Sequence, residues 1–206
     1  MIRDPKDLKR YEPKERANHW VVGISFILLA LSGLAFFHPA FFPLTQLFGG
    51  PTWARIIHPY LGVLMALSFL GLYVKFKHLN KMTPADKEWL AKAKNMVDGN
   101  DHDMPEQGKY NGGQKVMFWV MATCMLLMTV SGLLIWRAWF GFDITLVRMG
   151  AVVHAAAGAV MIGMIFVHVY AAIWVKGTIR AMWYGTVTRG WAKQHHRGWY
   201  RQVTGK

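Results

Sequence analysis

Long apolar runs alternate with polar and charged stretches along this chain. Four runs are long enough to cross a bilayer, at about residues 19–37, 54–76, 116–136 and 147–175. A span needs roughly 20 residues at about 1.5 Å of rise each. In lipid such a run must be helical, because every backbone polar group has to be paired within it. The pattern predicts an all-α integral membrane fold, a four-transmembrane-helix bundle with a loop over about 77–114 and a tail over 176–206.

The positive charges avoid these runs. The 206 residues are 53% hydrophobic, yet Lys and Arg number 24 against 11 Asp and Glu. All but Arg55, Arg137 and Arg148 lie before the first run, between the second and third, or after the fourth. The positive-inside rule therefore predicts a multi-pass membrane protein with both termini and the 77–114 loop in the cytoplasm. A nucleic-acid partner is excluded, because a groove-binding protein interleaves its basic residues through folded elements.

The first residues and the cysteine content narrow the class further. Residues 1–16 lack the apolar core and cleavage site of a signal peptide, so we expect the first helix to be retained. Cys124 is the only cysteine, which excludes an internal disulfide and an iron–sulfur cluster held by this chain alone. No C-x-x-C-H sequence is present, so haem would not be attached covalently.

Two connecting segments carry local structure signals. Thr83-Pro84, followed by Asp86 and Glu88, predicts a helix start with acidic residues in its first turn. The connection over 37–51 is rich in aromatic residues, Pro and Gly, which predicts a loop at the outer membrane interface. The rest of the stretch over 82–107 suggests no role.

Histidines in the apolar runs are the candidate functional residues. His19 opens the first run, and His58, His154 and His168 lie within the second and fourth. Ionisable residues inside a membrane are costly and usually functional. His154 and His168 are fourteen residues apart on one helix, so they share a face and lie roughly 21 Å apart along the axis. Because a ligating imidazole nitrogen lies about 2 Å from its metal, these two must serve different haems.

The predicted topology pairs the four histidines. His19 and His168 lie toward the cytoplasmic side, and His58 and His154 lie toward the outer side. Each pair predicts the axial ligation of one b-type haem iron, an arrangement that suits electron transfer. The alternative from another class is a haem-free membrane anchor for soluble subunits, whose histidines would hydrogen-bond between helices. The other five histidines are predicted to be solvated or interfacial: His38, His78, His102, His195 and His196.

Several longer segments carry a family resemblance. From about residue 15 to residue 201 the chain closely resembles the cytochrome b (gamma) subunit of respiratory, membrane-bound formate dehydrogenases. The segments that carry it are ERANHW (15–20), ARIIHPYLGV (54–63), GKYNGGQKVMFW (108–119), SGLLIW (131–136), HAAAG (154–158), HVYAAIWVKGTI (168–179) and WAKQHHRGWYR (191–201).

The resemblance implies a complex in the bacterial inner (cytoplasmic) membrane, with a division of labour between its subunits. A periplasmic molybdenum or tungsten alpha subunit oxidises formate, and an iron–sulfur beta subunit with its own membrane helix passes the electrons on. This chain would carry the electrons through two haems b to menaquinone or ubiquinone near the cytoplasmic side. The complex is also a candidate for assembly into a larger oligomer. The family's ligands fall on the same four histidines. A cytochrome b subunit of a hydrogenase or thiosulfate reductase is the alternative within the class.

The resemblance also implies a quinone site formed by Asn111, Gly113, Gln114 and His168. Without it, the residues favour a helix cap at Asn111, and Gly112-Gly113 is ordinary turn chemistry. Candidate partners for haem propionates are Arg16, Arg55 and Arg137, among which the sequence does not decide.

Overall fold

A computed structural model of the chain describes residues 4–98 and 104–205. Residues 99–103 of the loop, including His102, lie outside the described part. The elements in chain order are β1 (Leu8–Lys9), α1 (Pro13–Phe37), a 3₁₀ helix (Pro39–Phe48), α2 (Pro51–Phe76), a 3₁₀ turn (Lys77–Asn80), α3 (Pro84–Ala91), α4 (Ala93–Val97), α5 (Gly112–Ile135), α6 (Ile144–Trp174), α7 (Ile179–Tyr184), β2 (Thr186–Val187), α8 (Arg189–His195) and α9 (Arg197–Thr204).

Four helices of the described chain are long and apolar enough to cross a membrane. These are α1, α2 with its 3₁₀ turn, α5 and α6, with mean hydropathies of 2.3, 1.6, 2.1 and 2.1. Few residues of these spans are buried within the chain, and large apolar side chains such as Ile24, Leu67 and Phe166 are exposed. The structure thus confirms the predicted helical membrane fold, to which it adds one short pair of strands. The helices also extend beyond the apolar runs, with α1 beginning at Pro13 and α2 at Pro51.

The connection between α1 and α2 is ordered rather than a loop. His38 Nδ1 accepts a hydrogen bond from the backbone N–H of Ala40 at 3.2 Å and caps the 3₁₀ helix. Gly49 and Gly50 end it at φ of 84° and 99°, a conformation that favours glycine. The expected loop was wrong because its prolines and glycines act as helix start and stop signals.

The chain divides into two compact units. The central unit comprises 17–74 and 121–167, and the terminal unit comprises 1–16, 75–120 and 168–206. The residues most buried in the central unit are small or sulfur-containing, as is typical where membrane helices meet. They are Ser25, Ser32, Ala35, Thr45, Ala54, Met65, Met121, Cys124, Met125, Ser131, Ala157 and Met161.

In the terminal unit, strands β1 and β2 pair antiparallel, with Leu8 opposite Val187. An aromatic cluster lies next to them, formed by Ala181, Val187, Trp191, Ala192 and Trp199. This cluster gives the segment after α6 a small core of its own, which the apolar pattern of the spans did not predict.

Arg10 is the central cation of this cluster. It is 5% exposed, and its guanidinium lies 4.9 Å from the ring centre of Trp191 and 4.8 Å from that of Trp199. Cations are attracted to the faces of aromatic rings, and more strongly when desolvated. Arg10 Nη2 also donates to the carbonyl of Lys109. Arg10 thus connects the aromatic cluster to the segment that precedes α5.

The expectation that His196 is solvated was wrong. His196 is 1% exposed, its Nδ1 donates to the Gly108 carbonyl at 2.8 Å, and its Nε2 lies 3.4 Å from Arg10 Nη2. Because a guanidinium only donates, Nε2 must accept and the ring must be neutral. Burial, reinforced by the Arg10 charge, lowers the pKa of His196 to about 3.

This buried histidine predicts an acid-sensitive terminal unit. The folded-state pKa lies below the unfolded value of about 6.5, so the full stabilisation is present above pH 6.5. It is lost as pH falls toward 3, at up to roughly 1.4 kcal/mol per pH unit. We expect the thermal unfolding midpoint in detergent to fall between pH 7 and pH 5, and His196→Gln to flatten that dependence. The control His195→Gln should keep it; equal slopes in both variants would contradict the assignment.

Candidate functional site

His58 of α2 and His154 of α6 face each other within the central unit. Their ring centres are 6.3 Å apart and their planes are inclined at 61°. An imidazole nitrogen lies about 2 Å from a metal it ligates and about 1.1 Å from its own ring centre, so two rings on opposite sides of one iron have centres roughly 6.2 Å apart. The observed separation therefore fits two axial ligands of one haem iron.

Each of these rings is held by a serine on the preceding membrane helix. Ser32 Oγ lies 2.7 Å from His58 Nδ1, and Ser131 Oγ lies 2.9 Å from His154 Nδ1. With Nδ1 engaged, Nε2 is the nitrogen left to bind a metal, and outer partners of this kind fix the orientation of a ligating ring. Sequence reasoning missed both serines. The signal for them was the tripeptide Ser-Gly-Leu, which occurs at 32–34 and again at 131–133.

The glycine after each serine faces the same ring. A Cβ added to Gly33 would lie 3.6 Å from His58 Cε1, and one added to Gly132 would lie 3.4 Å from His154 Cε1. Alanine fits at ordinary contact distance, whereas a larger side chain would press on the imidazole. The two helical hairpins thus present the same serine, glycine and histidine arrangement.

The other two predicted ligands are His19 on α1 and His168 on α6, the helix that also carries His154. His19 is in the second turn of α1, with its ring edge-on to Trp20. Asn18 Nδ2 donates to the Ser68 carbonyl at 2.8 Å and fixes α1 to α2 just before His19. His168 lies in the C-terminal part of α6. The pairing of His19 with His168 stays a prediction from their depth along the helices.

The described residues contain no group of three or more His, Cys, Asp or Glu side chains that could hold a metal ion. A haem iron needs only two protein ligands, since the macrocycle supplies the rest. The opposed histidine pair is therefore suited to haem rather than to a free metal ion.

Asn111 and Gln114 form a reciprocal cap at the start of α5, in the terminal unit. Asn111 Oδ1 accepts from the Gln114 N–H at 2.9 Å, and Gln114 Oε1 accepts from the Asn111 N–H at 3.1 Å. This is the geometry of a capping box. Both side-chain oxygens are used by the cap, whereas neither side-chain nitrogen donates a hydrogen bond within the described residues. The site therefore offers hydrogen-bond donors.

The start of α5 is fixed by α3. The expected helix start at Thr83 is confirmed, and Asp86 accepts from the backbone and side chain of Thr83 at 2.7 Å each. Asp86 also forms a buried ion pair with Lys115 of α5 at 2.6 Å. Burial alone would raise the pKa of Asp86, but the hydrogen bonds from Lys115 and Thr83 hold it below its usual value. The ion pair thus keeps its charge and holds the two helices together.

The three candidate propionate partners differ in their surroundings. Arg16 Nη1 donates to the Trp183 carbonyl at 2.7 Å. Arg55 and Arg137 are exposed, and within the described part of the chain their side chains form no hydrogen bond or ion pair. Arg55 lies three residues before His58 on α2, and Arg16 lies three residues before His19 on α1, so each arginine is on the same side of its helix as a predicted ligand.

Four apolar spans and a facing pair of histidines are the features expected of a membrane cytochrome b. The chain belongs to the prokaryotic cytochrome b561 family, whose model matches residues 10–185. This family membership implies b-type haem as the cofactor and confirms an integral membrane protein with an electron-transport role.

Among curated proteins the chain is similar to subunits of formate dehydrogenases. It is 43% identical over 191 residues to the cytochrome b556 subunit of the nitrate-inducible formate dehydrogenase of Escherichia coli, covering 92% of this chain and 88% of that one. It is 43% identical over 196 residues to a second Escherichia coli formate dehydrogenase cytochrome b556 subunit, covering 94% and 92%. The Haemophilus influenzae formate dehydrogenase cytochrome b556 subunit is 38% identical over 195 residues, covering 94% and 82%. The resemblance inferred from the sequence is confirmed.

The packing at Gly113 generates a prediction about the start of α5. A Cβ at this position would come within 2.9 and 3.0 Å of the Trp89 ring, so Gly113→Ala must displace the indole. We expect a loss of about 1–3 kcal/mol in unfolding free energy, as for other overpacked sites. Gly163→Ala in α6, where nothing lies within 4 Å, is the control and should be neutral or stabilising. Denaturant unfolding of the two variants makes the comparison, and an equally tolerant Gly113 would refute tight packing there.

Proposed function

We propose that the chain is the di-haem cytochrome b subunit of a formate dehydrogenase complex and reduces quinone near the cytoplasmic face. The observation that carries the proposal is the 6.3 Å separation of the His58 and His154 ring centres, with both Nδ1 atoms engaged by serines. The names of the relatives supply the complex, and the family supplies the cofactor.

The proposed partners divide the chemistry. A molybdenum or tungsten alpha subunit oxidises formate on the outer side, and an iron–sulfur beta subunit with a membrane helix delivers the electrons. Haem, when bound, would supply one-electron exchange, and ligation by two histidines would suit electron transfer. This chain contributes the ligands: His58 and His154 for the outer haem, His19 and His168 for the inner one. Arg55 and Arg137 remain exposed cations on the outer side for the propionates of the outer haem.

Charge distribution supports the orientation and the coupling. The basic loop and tail favour cytoplasmic termini, which makes the His19 side the inner one. Among the described membrane-spanning helices, Glu15 is the only carboxylate, and it lies in the first turn of α1 beside Lys75 at 3.5 Å. A proton path through the spans therefore lacks acidic groups. The chain carries electrons inward, and the quinone takes its protons from the cytoplasm. Each electron moved inward works against a potential that is negative inside and stores about 2.3 kcal/mol per 100 mV.

The capping box supports a quinone site at Asn111, Gly113, Gln114 and His168. Quinone carbonyls accept hydrogen bonds and do not donate them. The two amide nitrogens are the donors that the cap leaves over, so cap and quinone site use different atoms of the same side chains. Gly113 keeps the start of α5 close under Trp89, which fixes the direction of both amides.

Haem counting tests the ligands and their pairing. His58→Ala and His154→Ala should each lower the haem content from two to one per chain, because each removes one ligand of the same iron. The double variant should lose no more than either single one, whereas His58→Ala with His168→Ala should lose both haems. The measurement is a pyridine haemochrome assay with an optical redox titration.

His38→Ala is the control for haem counting, since His38 caps the 3₁₀ helix and should leave both haems bound. Two haems surviving in His58→Ala, or an additive loss in the His58 and His154 double variant, would sink the proposed pairing.

Conservative variants separate the cap from the quinone site. Asn111→Asp and Gln114→Glu keep the oxygens that form the capping box but remove the NH₂ donors. We expect unchanged unfolding and at least roughly tenfold slower quinone reduction, the loss of one or two hydrogen bonds. Asn111→Ala removes both cap and donor, so it should also destabilise the chain by about 1 kcal/mol. Quinone reduction by the purified complex with an artificial donor gives the rates; normal rates in both acidic variants would move the site elsewhere.

A further inference from the structure

Ser32 and Ser131 each form hydrogen bonds of two kinds. Besides the histidine, Ser32 Oγ contacts the Leu28 carbonyl at 2.8 Å and, at a longer 3.2 Å, the Leu29 carbonyl. Ser131 Oγ contacts the Leu127 carbonyl at 2.6 Å and the Met128 carbonyl at 3.3 Å. These carbonyls belong to the same helix as the serine, about one turn earlier. Both serines are buried, at 0% and 2% exposure, so no water competes for these bonds.

The direction of each bond follows from the number of protons. A serine hydroxyl has one proton, and a carbonyl oxygen accepts only. The hydroxyl proton of Ser32 therefore points to Leu28, and its oxygen accepts from His58 Nδ1–H. The same argument applies to Ser131, Leu127 and His154. Each imidazole is thus neutral, with its proton on Nδ1 and the lone pair of Nε2 directed away from the serine.

We propose that Ser32 and Ser131 are positioning residues that set the ligand strength, and hence the reduction potential, of the outer haem. The proposal rests on the function proposed above, with His58 and His154 as the ligands. A hydrogen bond accepted from the distal N–H makes an imidazole a stronger donor to the metal. Stronger donation stabilises ferric over ferrous iron. Each serine–histidine hydrogen bond, called a relay below, therefore lowers the reduction potential of the same haem.

A packing role alone does not account for these contacts. Thr129, on the same helix as Ser131, bonds to the Met125 carbonyl at 2.7 Å in the same way, but it contacts no histidine in the described part of the chain. Back-bonding is thus a general way to satisfy a hydroxyl in lipid. What sets the two serines apart is the hydrogen bond to a histidine ring, which occurs at 2.7 Å on α1 and at 2.9 Å on α5.

The experiment is a redox titration of the purified complex carrying Ser32→Ala, Ser131→Ala or both. Each single variant should shift the ferric–ferrous equilibrium of the outer haem about tenfold toward ferrous, a rise of about 59 mV for one electron. The double variant should shift about twice as far, and the inner haem should not move. Low-spin ferric EPR should change for the outer haem alone. The control Thr129→Val should leave both haems as in the parent chain.

Threonine variants separate the hydroxyl from the packing. Ser32→Thr keeps the hydroxyl and should restore the parent potential; if Ser32→Ala loses the outer haem, recovery in Ser32→Thr supports the relay and its absence overturns it. Unchanged potentials in both alanine variants overturn the inference while leaving the function intact, provided that His58→Ala still removes one haem. Two haems retained in His58→Ala would instead overturn the proposed function itself.

Discussion

A hydroxyl or imidazole inside a hydrocarbon layer costs free energy unless each of its polar atoms has a partner. The central unit meets this constraint in one recurring way. Ser32, Thr129 and Ser131 each return their proton to a backbone carbonyl one turn earlier. The two serines then have an acceptor left, and a histidine of the next helix uses it. Helix contact, ring orientation and choice of nitrogen thus follow from a single requirement for pairing.

The terminal unit solves a different problem with the opposite chemistry. Here a short segment before α5 is held from several sides: Gly108 by His196, Lys109 by Arg10, and the first turn of α5 by Asp86 and Trp89. Most of these contacts involve charged or aromatic side chains. The capping residues of α5, Asn111 and Gln114, lie next to these contacts, which hold the start of the helix in place.

The spans and the candidate ligands could be predicted because they depend on local rules. Run length defines a membrane helix, and a histidine is conspicuous inside it. Ser32, Ser131 and Asn18 could not be predicted, because small polar residues are common in such helices. Their role becomes visible only when their hydrogen-bond partners on the neighbouring helix are known. His196 was missed for the opposite reason. A histidine in a basic tail suggests exposure. Its burial comes from the ring of Trp191, 4.9 Å away between ring centres, and from Arg10, which lies far away along the chain.

The antiparallel pair of Leu8 and Lys9 with Thr186 and Val187 has a consequence for biosynthesis. A segment made before the first span joins one made after the last, so this pairing forms only after α6 has been synthesised. Arg10 likewise meets the rings of Trp191 and Trp199 only at that stage. The small sheet is therefore among the last contacts of the chain to form.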